Sequence, residues 1–255
     1  MESASACRDM KYYYDLHIHS ALSPCGDEDM TPNNIVNMAL IKGLDIIAVT
    51  DHNAAGNVPA VMERGRRKQL TVVPGMEIES VEDVHILSLF PDIDSCMAVE
   101  AEIKEKLPFI ENKEHIFGRQ LLMNSADEIT GKIDSLLITA TGLSIEEIFG
   151  IVDGAGGIAI PAHVDRDSYS ILSNLGAVPE NLPVINIELS GTCDMESFLS
   201  EYPELRNFGI LQNSDAHYLW DISERNNYID TEQEISDAKG VIELLKKLPE
   251  LQGKV

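Results

Sequence analysis

The chain is short of basic residues. Of its 255 residues, 19 are Lys or Arg and 43 are Asp or Glu, which gives a formal net charge of −24 at pH 7. Sequence-independent binding to nucleic acid or to an anionic membrane surface depends on basic side chains that neutralise phosphates. The composition therefore disfavours long nucleic acid as a partner and predicts no association with membranes.

Cysteines and long apolar runs are also scarce. The four cysteines are Cys7, Cys25, Cys96 and Cys193, with no CxxC pair among them, so neither a disulfide framework nor a thiolate zinc site is indicated. The N-terminus lacks the apolar core of a signal peptide, and no apolar run approaches the roughly 20 residues that span a bilayer. We therefore expect a cytoplasmic protein with reduced thiols.

The segments that are present alternate between apolar strands and helices, which is typical of an α/β fold with largely parallel strands. Helical patterning replaces this alternation between about residues 95 and 150, and its last helix begins with a capping box at Ser144 and Glu147. We predict a flexible leader over residues 1–10 and one barrel domain over residues 11–255, which carries an inserted helical subdomain at about 95–150. The turn-forming pair Pro74 and Gly75 is expected to precede a separate short strand.

Histidines lie beside many of the predicted strands. The chain has seven: His17, His19, His52, His85, His115, His163 and His217. Five of them stand at or just past the C-terminal end of an apolar strand, and His85 stands at the start of one. In α/β barrels the C-terminal ends of the strands meet at one face, where reactive residues converge. His115 lies in a polar segment and is expected at the surface.

The spacing of these residues predicts shared binding positions. Residues i and i+2 of a strand point to the same face, so His17 and His19 can face one cavity, as can Asp215 and His217. Glu77 follows the predicted Pro-Gly turn and would be carried inward by its strand. Imidazole and carboxylate ligands without thiolates suit Zn, Mn or Fe in a catalytic site with open positions.

The ordered segments DLHIHS, TDHN, PGMEIES, VHILSLF, PAHVDR and SDAH resemble the polymerase and histidinol phosphatase (PHP) family of metal-dependent phosphoesterases. The resemblance implies an α/β fold, namely a distorted (β/α)7 TIM-like barrel with an inserted helical cap segment. It also implies two or three divalent metal ions, Zn, Mn or Fe, at the C-terminal rim of the barrel, and hydrolysis of phosphate ester bonds.

The resemblance also implies a ligand set. His17, His19 and Asp215 would hold one metal, Glu77 would bridge to a second metal held by His85 and His163, and His52 and His217 would hold a third. A further ligand is expected from the loop ALSPCGDEDMTP. Asp27 is the preferred residue by position, and Cys25 is the alternative.

Other residues have predicted supporting roles. Asp15 and Asp51 stand beside ligand histidines and would accept the other ring N–H. Arg166 could bind a substrate phosphate bidentately. His217 or Asp215 could relay the proton to the leaving oxygen.

The predicted function is hydrolysis of a small phosphate ester, of the nucleotide or sugar phosphate type, by attack of a metal-activated hydroxide on phosphorus. A histidinol-phosphate-type phosphatase and a phosphodiesterase of short oligonucleotides are alternatives. An amidohydrolase barrel also opens with HxH, but a lysine usually bridges its metals and no lysine follows a suitable strand here. A non-catalytic metal-binding module is the remaining alternative, because a fold does not fix a function.

Overall fold

Strands arranged around a barrel dominate the computed structural model, which describes residues 10–253. The strands of this part of the chain are β1 (Met10–Ile18), β2 (Ile46–Val49), β3 (Thr71–Glu79), β4 (His85–Leu89), β5 (Leu121–Met123), β6 (Ile129–Lys132), β7 (Ile158–Pro161), β8 (Asn186–Ser190), β9 (Gly209–Asn213) and β10 (Tyr228–Thr231).

Helices follow most of these strands. They are α1 (Pro32–Ile41), α2 (Val58–Lys68), α3 (Ile93–Lys106), α4 (Glu114–Phe117), α5 (Ile145–Gly154), α6 (Ile171–Leu175), α7 (Met195–Glu201), α8 (Ala238–Leu245) and α9 (Leu248–Gln252), with short 3₁₀ helices at Pro203–Asn207 and Leu219–Asp221. None of the helices within residues 10–253 is both long enough and apolar enough to cross a membrane.

The strand order produces a distorted seven-stranded barrel. One sheet has the order β10-β1-β2-β3-β4-β7, and β8 and β9 form a parallel pair. Hydrogen bonds join the two sheets: Val164 N donates to Glu188 O at 2.8 Å after β7, and Ala216 N donates to His17 O at 3.3 Å after β9. The distortion comes from β4, which runs antiparallel to both β3 and β7.

Two apolar layers hold the barrel together. Side chains from β1, β2, β3, β4, β7 and β9, such as Leu16, Val73 and Leu211, pack with one another and with α8. A second layer, which includes Val49 and Ile148, joins the strands to α1, α2, α3 and α5. The first layer fills the barrel and leaves its other end to the polar residues described below.

Side chains cap the first turns of α1 and α5. Thr31 caps α1, where its hydroxyl accepts from Asn34 N at 3.3 Å and Pro32 begins the helix. Ser144 and Glu147 form the predicted capping box of α5, in which each side chain bonds the other residue's backbone N–H. These local signals are strong because they satisfy backbone N–H groups that the helix itself cannot.

The expected turn at Pro74 and Gly75 is absent, since β3 continues through both residues. The strand changes partner there: Pro74 pairs in parallel with Val49 of β2, and Gly75 pairs antiparallel with Leu89 of β4. Glycine fits because a Cβ at this position would lie 2.8 Å from a Leu89 methyl carbon and 2.9 Å from Ser88 O.

The inserted segment is less helical than predicted. Between α4 and α5 it contains an antiparallel hairpin of β5 and β6. The turn before β6 is formed by Asn124, whose backbone N–H donates to Glu128 O at 3.0 Å, and by Asp127, which has a positive φ of 62°. Residues 124–128, within the segment predicted to be helical, therefore form a hairpin turn.

The predicted leader, residues 1–10, lies outside the described residues except for Met10. That residue begins β1 and pairs with Thr231. Cys25, Cys96 and Cys193 are free thiols, while Cys7 lies outside the described part of the chain.

Candidate metal centre

The predicted histidine ligands, together with Glu77 and Asp215, converge at one end of the barrel. β1 supplies His17, His19 follows one residue after its end, and the residues after β2, β7 and β9 supply His52, His163, Asp215 and His217. His85 begins β4, and because β4 is antiparallel to β3 it pairs with Glu79 at the same end. Three groups bring their ligand atoms within 4.8 Å of one another: His19, His52 and His217; His17, His19 and Glu77; and His52, Glu77 and His85.

Glu77 lies at the centre of this cluster. Its carboxylate oxygens face five imidazole nitrogens, at 2.8 Å for His85, 2.9 Å for His52, 3.2 Å for His163, 3.3 Å for His17 and 3.5 Å for His19. Burial alone would raise the pKa of Glu77, but the surrounding histidines, led by His85, hold it well below its usual range. The carboxylate is therefore ionised and available as a bridging ligand.

Asp215 also lies close to both histidines of the HxH pair. Its Oδ1 lies 2.9 Å from His19 Nε2 and 3.4 Å from His17 Nε2. Its Oδ2 accepts a hydrogen bond from Arg166 Nη1 at 2.6 Å. Burial raises the pKa of Asp215, but the charge of His17 and the close His19 imidazole hold it well below its usual range.

Several buried atoms of the cluster lack a hydrogen-bond partner among the described residues. They are His52 Nδ1, Glu77 Oε2, His163 Nδ1 and Asp215 Oδ1. His52 Nδ1 is only 2.9 Å from Glu77 Oε2, yet the two are not aligned as a hydrogen bond. Unpaired buried polar atoms are costly. A set of imidazole nitrogens and carboxylate oxygens that face a common centre fits divalent metal ions.

The loop after β1 brings Cys25, and not the Asp27 carboxylate, into contact with the cluster. Cys25 Sγ lies 3.1 Å from His217 Nε2. The Asp27 carboxylate instead accepts from Asp29 N at 2.9 Å, while its backbone N–H donates to His217 O at 2.9 Å. Burial raises the pKa of the Cys25 thiol, but hydrogen bonds with His217 and His52 outweigh this effect and lower the pKa to about 7.

Glu188 is a site residue that the sequence reasoning missed. It is fully buried in β8 and accepts from His17 Nδ1 at 3.0 Å, from His163 N at 3.1 Å and from Asn213 Nδ2 at 2.8 Å. A glutamate within the apolar run VINIEL was the available signal, because an ionisable residue in a buried strand needs partners.

Contrary to the prediction, neither Asp15 nor Asp51 contacts an imidazole nitrogen. Asp15 accepts from the hydroxyl and backbone N–H of Ser214 and from Ser223 N. Asp51 accepts from Ser20 and from the Ser23 hydroxyl at 2.6 Å. That hydroxyl lies 2.9 Å from His19 Nδ1. Asp51 therefore reaches a ring through one intervening serine, and Asp15 fixes the loop that carries Asp215.

Two site residues have a positive φ, 32° for His163 and 53° for Asp215. Non-glycine residues in such conformations typically cost about 1–3 kcal/mol each and persist where the surroundings fix them. Glu188 holds the backbone of His163 and Arg166 holds the side chain of Asp215. His115 lies apart from the cluster, exposed on α4.

With this geometry established, known proteins can be compared. A family model described as the PHP domain matches residues 15–146. The 5'-3' exoribonuclease Rnm of Salmonella typhimurium is 34% identical over 96 residues, which are 35% of this chain and 32% of that protein. Phosphoribosyl 1,2-cyclic phosphate 1,2-diphosphodiesterase of Eggerthella lenta is 32% identical over 80 residues, 29% of each chain.

The chain thus spans less than a third of the length of these curated relatives. Both names denote enzymes that cleave phosphate ester bonds, which is the enzyme class predicted from the sequence.

Solved structures share the fold. The lesion-specific endonuclease PfuEndoQ of Pyrococcus furiosus matches 94% of this chain and 56% of its own chain, with a TM-score of 0.68 and 18% identity. A structure of Endonuclease Q in complex with a 27-mer duplex substrate has the same TM-score of 0.68 and 18% identity. At this identity the likeness concerns the fold alone, and it confirms the predicted α/β barrel.

The prediction about partners is wrong. We expected a small phosphorylated substrate, and the net charge of −24 led us to disfavour long nucleic acid, yet one similar protein is named an exoribonuclease and a structural neighbour holds a 27-mer duplex. The error lies in using net charge, which averages over the whole surface. Binding of a phosphate at a site depends on the local field, and cations held by buried ligands would reverse that field.

Proposed function

Because the chain belongs to the PHP domain family, we propose that it is a metal-dependent phosphodiesterase that hydrolyses the backbone of nucleic acid. The observation that supports this most directly is the Glu77 carboxylate, which faces five imidazole nitrogens within 3.5 Å. Such a centre is suited to metal-assisted hydrolysis of phosphate esters. The exoribonuclease and the cyclic phosphate diesterase among the relatives favour a phosphodiester substrate.

The cluster residues share the proposed role of metal ligand. His17, His19 and Asp215 would hold one ion, Glu77 would bridge to a second with His85 and His163, and His52 and His217 would complete a third position together with Cys25. When bound, divalent metals supply positive charge to the phosphoryl oxygens and acidify water for attack on phosphorus. Of the two residues predicted for the third position, the 3.1 Å contact of Cys25 with His217 favours the thiol over Asp27.

Buried acceptors would fix the orientation of the HxH imidazoles. Glu188 accepts from Nδ1 of His17, so Nε2 of that ring faces Glu77 and Asp215 and would offer its lone pair to a bound metal. The Ser23 hydroxyl, held by Asp51, plays the same part for Nδ1 of His19. A histidine ligand whose second nitrogen is held in this way keeps the tautomer that metal binding requires.

Arg166 would act at the rim of the cluster. One guanidinium nitrogen holds Oδ2 of Asp215, and the side chain is 41% exposed. Its outward N–H groups would donate to a substrate phosphate, since guanidinium groups bind phosphate oxygens through paired hydrogen bonds.

Of the two residues predicted to return a proton to the leaving oxygen, His217 is the better placed. It would take this role in place of metal binding, when the third position holds no ion, because Nδ1 already faces Asp215 O at 2.8 Å and only Nε2 could donate. The neighbouring histidines hold the pKa of Asp215 well below its usual range, against the effect of burial, so that carboxylate is a poor proton donor. The His217 side chain is 24% exposed, compared with 6% for Asp215. Cleavage of the P–O bond would leave an oxygen that takes this proton.

The test is hydrolysis by metal-free protein to which Mn, Fe or Zn is added back. The substrates are single-stranded RNA and DNA oligonucleotides labelled at either end, the matching duplexes, and bis(p-nitrophenyl) phosphate. We expect metal-dependent cleavage of at least one oligonucleotide and of the chromogenic diester. Absence of cleavage of every substrate by metal-loaded protein would contradict the proposal.

The variant His17→Ala separates catalysis from a structural role. A phosphodiesterase loses turnover in this variant while its melting temperature without metal stays close to that of the wild type. A non-catalytic metal-binding module would have no turnover to lose, and hydrolysis of amides alone would indicate the amidohydrolase alternative.

A further inference from the structure

A cavity of about 550 Å³ opens directly beside Asp215 and Arg166. Its walls come from the segment after β8, from the end of β9 and from the segment that precedes β10. The lining residues used below are Lys42, Arg166, Asp215, Trp220, Glu224 and Asn226. The volume lies within the range of about 300–1,000 Å³ that is usual for small-molecule sites, and the shared residues make the cavity continuous with the metal centre.

An exposed aromatic pair stands beside this cavity. Trp220, the single tryptophan of the chain, is 69% exposed, and Tyr218 is 40% exposed. Their rings stack with centroids 4.8 Å apart and an interplanar angle of 12°. Trp220 lines the cavity and follows His217 by three residues, so an aromatic face lies close to the proposed point of cleavage.

The aromatic pair is held firmly in place. Leu219 packs against the core and Ile222 is buried, so the 3₁₀ helix Leu219–Asp221 is anchored at both ends. Lys42 Nζ donates to Trp220 O at 3.2 Å, and Asp221 N donates to Tyr218 O at 3.0 Å. A large aromatic surface kept rigid but uncovered is prepared to stack with a planar partner.

Four of the five charged side chains that line the cavity are paired. Lys42 forms an ion pair with Glu224, and Arg166 forms one with Asp215. The fifth, Asp221, forms no ion pair among the described residues and would repel a second phosphate group. An exposed amide such as Asn226 offers both a donor and an acceptor. The lining therefore suits an uncharged, planar, hydrogen-bonding group.

We propose that this cavity binds a nucleobase of the substrate, stacked on Trp220, for a nucleotide adjacent to the phosphate that is cleaved. The inference rests on the proposed phosphodiesterase function and specifies its substrate further. A base is free to stack on a side chain when its strand is unpaired there, so the substrate is single-stranded at this position.

The first test compares a complete oligonucleotide with a series of the same length. Each member of the series carries one abasic residue, at a different position. In the wild type we expect kcat/KM to fall by about 10- to 100-fold when the missing base is the one that stacks. Trp220→Ala should lose this discrimination, whereas Trp220→Phe should keep most of it. Phe109→Ala, which alters an exposed aromatic residue outside the cavity, is the matched control and should keep the wild-type ratio.

The ratio of kcat/KM for the complete and the abasic oligonucleotide separates stacking from a structural effect. A distorted site would lower kcat/KM for both substrates and leave their ratio unchanged. An unaltered ratio in Trp220→Ala overturns the proposal and indicates that another partner covers Trp220.

If the wild type cleaves neither oligonucleotide, the phosphodiesterase proposal fails and fluorescence decides the binding proposal. Saturable quenching of the single tryptophan by the complete oligonucleotide, but not by one lacking its bases, supports the subsite. Equal quenching by both, or none, overturns it.

Discussion

Nδ1 of His17 lies 3.0 Å from Oε1 and 3.1 Å from Oε2 of Glu188, with both side chains buried. The same carboxylate accepts from His163 N and from Asn213 Nδ2. Glu188→Gln keeps the size of the side chain but turns one acceptor into a donor that faces other donors. Loss of a buried group that orients a metal-binding histidine typically weakens metal affinity or activity by about 10–100-fold.

We therefore expect Glu188→Gln to bind Mn about 10–100-fold more weakly than the wild type in a calorimetric titration. Glu180→Gln, which alters an exposed glutamate, is the control and should bind as the wild type does. Wild-type affinity in Glu188→Gln would show that His17 needs no buried acceptor.

Cys25 should contribute a thiolate to the third metal position. Cobalt-substituted wild type should show a thiolate-to-cobalt charge-transfer band in the near ultraviolet, and Cys25→Ser should lack it. Cys193→Ser is the control and should retain the band. Cys193 lies in the segment after β8, and its thiol is not among the groups of ligand atoms that converge in the cluster.

The same spectra decide between Cys25 and Asp27. If Asp27→Asn removes one bound cobalt ion per chain while Cys25→Ser leaves both the count and the spectrum as in the wild type, Asp27 is the ligand.

Asn53 joins the inserted segment to the site. Its side-chain amide donates to Leu137 O at 2.8 Å and to Thr139 O at 3.0 Å, and its oxygen accepts from Glu79 N at 3.1 Å. Asn53→Ala removes all three bonds at a buried position where φ is 50°. We expect the free energy of unfolding to fall by about 2–3 kcal/mol, measured by urea denaturation.

The control for Asn53 is Asn37→Ala on the exposed face of α1, which should change the free energy of unfolding by less than about 0.5 kcal/mol. Equal stability of the two variants would mean that the inserted segment is not held through Asn53.

Salt should affect oligonucleotide binding only weakly. Near the cluster the basic groups are Arg166 and Lys42, and each is already paired with a carboxylate. If the protein neutralises only one or two phosphates, its affinity for the oligonucleotide should fall by about 3- to 7-fold between 50 and 200 mM salt. A protein with many phosphate contacts loses about 10³–10⁵-fold over the same range. Fluorescence anisotropy across that range measures the slope. A loss above about 100-fold would contradict this prediction and would indicate that a basic surface away from the cluster, such as the exposed Arg66, Arg67 and Lys68 at the end of α2, also binds the strand.

Much of the cluster could be predicted from sequence because strand geometry determines it. The i, i+2 spacing places His17 and His19 on one face, and the ends of parallel strands meet at one rim. The structure accordingly brings His52, Glu77 and Asp215 beside them. These inferences need only local periodicity and the direction of the chain.

Other features depend on tertiary contacts that no local pattern contains. Asp27 and Cys25 lie in one loop, and only its folded path brings the thiol to His217. Glu188 contacts His17 from a distant strand, and Ser23 contacts His19 from the loop that follows it, whereas the neighbouring aspartates were predicted to do so. The hairpin of β5 and β6 was missed because each strand is short and only one of them has a buried face.

In the proposed mechanism Glu77 organises the metal ions on which phosphodiester hydrolysis depends. The most direct measurement is a Mn titration of metal-free wild type and of Glu77→Gln, with bound metal and hydrolysis of bis(p-nitrophenyl) phosphate followed in the same samples. We predict that the wild-type rate rises with bound Mn and saturates near two or three ions per chain, and that Glu77→Gln stays at least about 100-fold slower at equal added metal. A wild-type rate that does not depend on bound metal, or a Glu77→Gln variant as fast as the wild type, would contradict the account.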